Sequence, residues 1–271
     1  MSMFDSIEQL AVPSPTLPPA TKTNAWVLDK TWITDPAAVK PTDQEQLIKD
    51  CVARRLNKTL KGVLLTHQHH DHIGSAEILR QEFNIPIYAS QLTSEALSFD
   101  IDCILNEGDV LQTPAQKWIT LITPGHAAGH LCFFNEREKL LVAGDMVAGV
   151  GTILLAPPEG DLDLYINSLQ RLQDLKPDWL LPAHGPPQPL DLIQEYIDHR
   201  QKRSLQFLEV LEKSTQALSA FEIARLIYTE LPPQFLNIAA LQVSCHLTSL
   251  NRQGLVEQKD DTLWCPAPHV L

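Results

Sequence analysis

The chain has 271 residues, 44% apolar and 20% charged, a balance that excludes wholesale disorder and a collagen-like composition. Its 21 Lys and Arg stand against 33 Asp and Glu, and the resulting net charge of −12 opposes tight, sequence-independent binding to nucleic-acid phosphates.

Residues 1–17 show no basic region followed by an apolar stretch, and no apolar run approaches the roughly 18 residues of a membrane span. The expectation is a cytoplasmic protein with no membrane partner. Prolines at 13, 15, 18 and 19 predict a lead-in segment over 11–23 without a regular element, since each fixes its own φ and lacks an N–H. Short apolar runs at 25–28, 62–66, 85–89, 118–123, 140–143 and 179–181 then read as strands. Windows at 43–56, 75–83 and 162–174 repeat apolar residues at helical spacing, so the predicted class is α/β. A long helical pattern covers 190–211. It is followed by predicted helices over 219–231 and 238–253, a stop at Gly254, and a two-stranded wing at 255–258 and 263–265, the order of a winged helix. The expected organisation is a catalytic domain over 1–189, a linker helix over 190–213 and a winged-helix-like domain over 214–271. Five cysteines without C-x-x-C spacing read as reduced, structural thiols.

The strongest chemical signal is Thr66-His67-Gln68-His69-His70-Asp71-His72, directly after the apolar run Val63-Leu64-Leu65. Alternation along an extended chain would put His67 and His69 on one side, and a turn near Gly74 would bring Asp71 and His72 to the same cavity. Imidazole and carboxylate at this density suit Zn²⁺. His126, Asp145 and His184 each follow a strand-like run, and the carboxyl ends of neighbouring strands converge on one crevice in α/β sheets.

His67-x-His69-x-Asp71-His72 followed by His126, Asp145 and His184 resembles the metallo-β-lactamase fold superfamily, with all seven ligand types in order. The resemblance implies an αββα sandwich holding two Zn²⁺ ions. His67, His69 and His126 would serve one ion, Asp71, His72 and His184 the other, with Asp145 between them. Mn²⁺ or Fe²⁺ would fit the same nitrogen and oxygen donors. Two such ions activate a water and stabilise the oxyanion formed on a substrate, which makes Asp71 and Asp145 catalytic candidates. His130, four residues past His126, reads as a ligand-supporting or substrate-facing group, with a structural histidine as the alternative. His70 is not counted as a ligand.

Departures narrow the branch. Class B1 β-lactamases carry Cys where this chain has Asp145, and flavodiiron proteins carry Glu where His69 stands. Too few residues separate Asp145 from His184 for the inserted domain of the β-CASP nucleases. The fullest resemblance is to the β-lactamase-like protein 2 group, through Ala143-Gly144-Asp145, Tyr165-Ile166-Asn167-Ser168-Leu169, Pro182-Ala183-His184-Gly185-Pro186, residues 196–203 and the winged-helix tail. That resemblance implies endoribonuclease action on single-stranded RNA, with thioester hydrolysis by similar chains, as in glyoxalase II, as the alternative. The physical reading does not settle between them, and with the resemblance RNA phosphodiester cleavage is placed slightly ahead of thioester hydrolysis. A non-catalytic metal-binding regulator is the third reading. Residues 201–271 carry six cations against seven anions, and the predicted helix 238–253 carries only Arg252, so no duplex DNA is expected. The tail reads as a packing, substrate-shaping or dimerising module, and a homodimer is among the expectations. His199, Arg200 and Arg203 are candidates for contacting an anionic substrate, against the alternative of a solvated helix face.

Overall fold

The computed structural model describes residues 6–268. Strands β1 (Ile7–Pro13), β2 (Lys22–Leu28), β3 (Trp32–Thr34), β4 (Gly62–Leu64), β5 (Ile87–Ala89) and β6 (Cys103–Ile104) form one sheet in chain order. β1 to β3 pair antiparallel and β3 to β6 parallel. A second sheet runs β7 (Val110–Gln112), β8 (Lys117–Ile122), β9 (Leu131–Asn135), β10 (Leu140–Gly144), β11 (Trp179–Pro182) and β12 (Gln188–Pro189), antiparallel except for the parallel β10 and β11 pair.

Alternation builds the layers. In β9, Leu131 and Phe133 face the first sheet while Cys132 and Phe134 face the helices behind, and in β10 Leu140 and Val142 alternate likewise with Leu141 and Ala143. Both faces are buried, which is why these strands read as unbroken apolar runs. The inter-sheet core joins Trp26, Trp32 and Leu64 to Trp118, Phe133 and Leu181. Helices α1 (Pro41–Ala53) and α3 (Ala76–Phe83) cover the first sheet through Leu47, Cys51 and Leu79. Helix α5 (Leu162–Asp174) covers the second, with Leu162, Tyr165, Leu169 and Leu172 on one face and Asp161 capping its N-terminus. The short helices α2 (His70–Ile73) and α4 (Gln91–Ala96) complete an αββα sandwich.

Helix α6 (Asp191–Lys213) belongs to both domains. Ile193 and Ile197 pack in the sandwich, whereas Phe207 and Leu211 lie in a separate core with Ile223, Val243, Leu247 and Trp264. That second core is the winged helix: α7 (Ala220–Ile227), α8 (Leu236–Arg252) and a three-stranded sheet of β13 (Leu218–Ser219), β14 (Val256–Gln258) and β15 (Leu263–Pro266). Ser219 and Glu222 form a capping box on α7. Among the described residues no helix is long and apolar enough to cross a membrane.

Two sequence expectations need correction. The segment 11–23 does contain regular structure, because β1 runs to Pro13 opposite Lys22; β1 is an edge strand, where a missing N–H breaks no ladder bond. The predicted helix 219–231 stops at Ile227, ahead of the rigid Pro232-Pro233 pair that opens the turn into α8. Strands β1, β3, β6, β7, β9, β12 and β13 lie outside the predicted set. Burial pushes the thiols of Cys51, Cys132 and Cys245 up to about 12, which suits inert packing groups.

Candidate metal centre

The site lies where β4, β8, β10 and β11 end. β4 stops at Leu64, so His67 and His69 stand on an extended loop rather than on the strand, and Asp71 and His72 on the single turn of α2. His126 follows β8, Asp145 follows β10 and His184 follows β11. Gly144 makes the turn into Asp145 with φ of +51°, and a Cβ there would come within 2.6 Å of His130 Nε2. Asn24 clamps the His184 loop, donating from Nδ2 to the carbonyls of Pro182 and Gly185 at 3.0 and 2.7 Å.

The structure brings all seven predicted ligands together. His67 Nε2, His69 Nδ1 and His126 Nε2 lie 2.9, 3.2 and 3.0 Å from one another. Donor atoms of Asp71, His72 and His184 form a second group within 4.8 Å. Asp145 stands between the groups, with Oδ2 3.5 Å from His126 Nε2 and Oδ1 3.4 Å from His184 Nε2.

The outer nitrogen of each ring decides which form the inner one takes. His126 Nδ1 faces the Leu154 carbonyl at 2.8 Å and His184 Nδ1 faces the Lys22 carbonyl at 3.1 Å. His72 Nδ1 faces Asp35 Oδ2 at 3.0 Å. His67 Nδ1 faces Thr66 Oγ1 at 3.0 Å, and that hydroxyl gives its own proton to Asp35 Oδ2 at 2.7 Å. Each partner is an acceptor, so each Nδ1 carries the proton and each Nε2 presents a lone pair inward. Lone pairs converging at these distances repel unless a cation lies among them. His72 Nε2, His184 Nε2 and Asp145 Oδ1 are buried without hydrogen-bond partners in the protein, a donor set that a metal ion satisfies.

The electrostatics divide the rings: some are held neutral, whereas the neighbouring carboxylates draw positive charge, a proton or a metal ion, to His72 and His184. Burial holds His67 well below the ordinary imidazole range and brings His126 down to about 4, keeping both neutral as ligands must be. Burial opposes charge on His72 too, but Asp145 and Asp35 outweigh it and raise its pKa well above the usual value. Burial would likewise raise Asp145, yet His72 and His184 hold its carboxyl well below the ordinary range. The middle of the site is an anionic spot that selects for positive charge.

His130 is fully buried and lines no cleft. Its Nε2 accepts the backbone N–H of Asp145 at 3.0 Å, and its Nδ1 pairs with Thr123 Oγ1 at 2.8 Å, so it supports a ligand and does not face substrate. His70 is exposed at the start of α2. The three predicted substrate contacts stand apart from the cluster. His199 is exposed on α6. Arg200 is 3% exposed and donates to the Ile153 carbonyl beneath the cleft wall, beside the Tyr165 ring. Arg203 stacks 4.8 Å from the Tyr228 ring centroid and donates to Gln206. Asp35 was missed by sequence reasoning. Its carboxylate accepts from the Thr66 N–H, the Thr66 hydroxyl and His72. The available signal was an acid directly after the short strand Trp32–Thr34.

The cluster forms the floor of a cleft of about 720 Å³. Residues 15–20, residues 148–159 and the winged helix, through Tyr228, Leu231, Phe235 and Ile238, wall it. His69, Asp71, His126, Asp145, Glu159 and His184 are the titratable lining groups of the floor, and among the described residues no Lys or Arg lines the cleft.

Residues 20–184 match the family model of the metallo-beta-lactamase superfamily. The chain belongs to the metallo-β-lactamase superfamily. Residues 219–264 of this superfamily member match the beta-lactamase associated winged helix domain. It is 27% identical over 245 residues to a beta-lactamase-like protein 2 homolog of Caenorhabditis elegans, covering 87% of this chain and 80% of that one. It is 35% identical over 144 residues to a hydroxyacylglutathione hydrolase of Bdellovibrio bacteriovorus, covering 53% of this chain and 55% of that one. The fold is shared with a beta-lactamase domain protein from Burkholderia ambifaria, at a TM-score of 0.86 and 21% identity over 98% of this chain and 93% of that one. The chain is thus a metallo-β-lactamase superfamily hydrolase with a candidate dimetal site.

Proposed function

We propose that this metallo-β-lactamase superfamily member hydrolyses acyl thioesters, with two Zn²⁺ ions bound by the seven-residue cluster. One observation carries the substrate class: the cleft above the cluster is walled by apolar side chains and lined by acids and histidines, without a single Lys or Arg. A phosphodiester backbone is a polyanion whose binding draws on cations along its length, and the walls above the metal floor supply none. A neutral acyl group meets no such penalty. The name of the Bdellovibrio relative, a hydrolase of hydroxyacylglutathione, supports the same reading.

His67, His69 and His126 would hold one ion, Asp71, His72 and His184 the other, and Asp145 would bridge the two groups. When bound, the ions supply Lewis acidity and lower the pKa of a coordinated water toward neutrality. The chain itself keeps His67 and His126 neutral through burial, and it orients His67, His72, His126 and His184 through Thr66, Asp35, Leu154 and Lys22. Asp71 and Asp145 would offset about half the charge of two divalent ions, leaving the floor net positive where negative charge develops on the scissile carbonyl. The apolar wall excludes bulk water around the acyl group. A thiol pKa of about 8.5 makes thiolate a leaving group that needs no proton from a side chain.

The test is turnover of a medium-chain acyl thioester and of a short single-stranded RNA by the metal-analysed protein, each with and without chelator. Chelator-sensitive thioester cleavage, lost in Asp145→Ala, is the expected result. RNA cleavage without thioester cleavage would overturn the proposal.

A further inference from the structure

A winged helix that reads nucleic acid exposes its recognition helix to a groove. Here α8 is turned inward. Val243, Leu247 and Leu250 pack in the small domain's own core, whereas Cys245 packs in the core of the αββα sandwich. Gln242 Oε1 accepts the N–H of Leu155 at 2.9 Å, and Cys245 Sγ donates to the Gly160 carbonyl at 3.2 Å. Arg252, the one cation of the helix, is tied to Asp161 and Asp163 at the N-terminus of α5, at 2.7 and 2.9 Å. The face that would meet phosphates is therefore consumed by docking onto the hydrolase domain.

What the small domain presents to the catalytic cluster is a different surface. Tyr228, Leu231, Phe235 and Ile238 come from the end of α7, the proline turn and the first turn of α8, and all line the cleft. Each is half-buried and lines the cleft, and among the described residues no Lys or Arg shares that lining. Arg203 of α6 lies over the Tyr228 ring and outside the lining. Opposite stands the stretch Pro15–Ala20, also poor in hydrogen-bonding side chains. The chamber is continuous with the floor that holds Asp71, Asp145 and His184, so a chain entering it is joined to the reacting carbonyl.

We infer that the winged-helix domain is the specificity wall of the enzyme: its segment 228–239 receives the alkyl part of the acyl group, and Phe235 sets the chain length accepted. The identity of the reacting bond rests on the thioester reading above; the apolar subsite rests on the chamber alone. Each methylene moved from water onto an apolar wall contributes about fourfold in affinity, so binding should climb with chain length until the chamber is filled and then level off.

The experiment is calorimetric titration of the full-length, metal-loaded protein with alkyl thioether analogues, which lack the scissile carbonyl and are not hydrolysed, over a series of chain lengths. The expected result is a rise of about fourfold per methylene with a break, displaced to longer chains in Phe235→Ala and to shorter chains in Phe235→Trp. The wild-type profile alone tests the idea if a variant fails to fold: affinity independent of chain length overturns it. A break that stays in place in both folded variants does so as well. A steep profile without thioester turnover would leave the wall standing and remove the thioester reading, whereas turnover with a flat profile would do the reverse.

Discussion

The backbone N–H of Asp145 donates to Nε2 of the buried His130 at 3.0 Å. The proton of that ring therefore lies on Nδ1, against Thr123 Oγ1 at 2.8 Å, and the imidazole serves as a fixed acceptor beneath the carboxylate that stands between the two donor groups. Replacing it with alanine should leave the fold in place but free the Asp145 loop. His130→Ala is expected to lower metal affinity or turnover by about 10- to 100-fold, read by competition with a chromogenic chelator. Unchanged affinity and turnover would show that Asp145 is held by its flanking chain alone.

Asp35 is the hub behind two ligands. It is 1% exposed and accepts three hydrogen bonds, so Asp35→Asn sets an amide NH₂ against donors that now lack an acceptor. The variant should lose about 2 kcal/mol or more of stability and bind metal more weakly. Denaturant melts with and without Zn²⁺ check both parts.

His184 contributes to only one of the two donor groups. In His184→Ala the metal content after dialysis against dilute Zn²⁺ should fall from about two ions per chain to about one. Loss of both ions together would mean that the groups load as a unit.

His246 gives a pH prediction remote from the cluster. It lies on α8 with Nδ1 against Ser204 Oγ at 2.8 Å, and burial brings its pKa down from 6.5 to about 3. The unfolded chain then binds a proton that the folded chain refuses. Stability falls as pH drops from about 6.5 toward 3 and levels off below that. His246→Leu should show a shallower acid limb than the wild type in chemical denaturation across this range, and an identical limb would assign the acid sensitivity to other groups.

The paired contact of Arg252 with Asp161 and Asp163 joins the two domains, yet Arg252 is 52% exposed. Solvent screening limits such pairs, and Arg252→Ala should cost no more than about 1 kcal/mol. A larger loss in a thermal melt would show that this contact carries the docking of α8.

Much of the αββα sandwich was legible because strands buried on both faces advertise themselves as apolar runs, as at 140–143 and 179–181. β3 was missed because only three residues, Trp32–Thr34, signal it; β9 carries the apolar run Leu131-Cys132-Phe133-Phe134 and was legible, although it was not among the runs read as strands. Arg200 and Arg203 look like free cations on a polar helix until α6 is packed, when one is sealed under the cleft wall and the other laid on Tyr228.

The sequence by itself determined the seven ligand types and their order, since each follows the end of a strand and strand ends are written locally. Tertiary structure decided the rest. Asp35 reaches Thr66 and His72 across 31 and 37 residues of chain, and the cleft owes its apolar wall to Phe235 and Ile238 of a separate domain. No periodicity or spacing encodes such contacts; they exist only once two cores have packed against each other through α6.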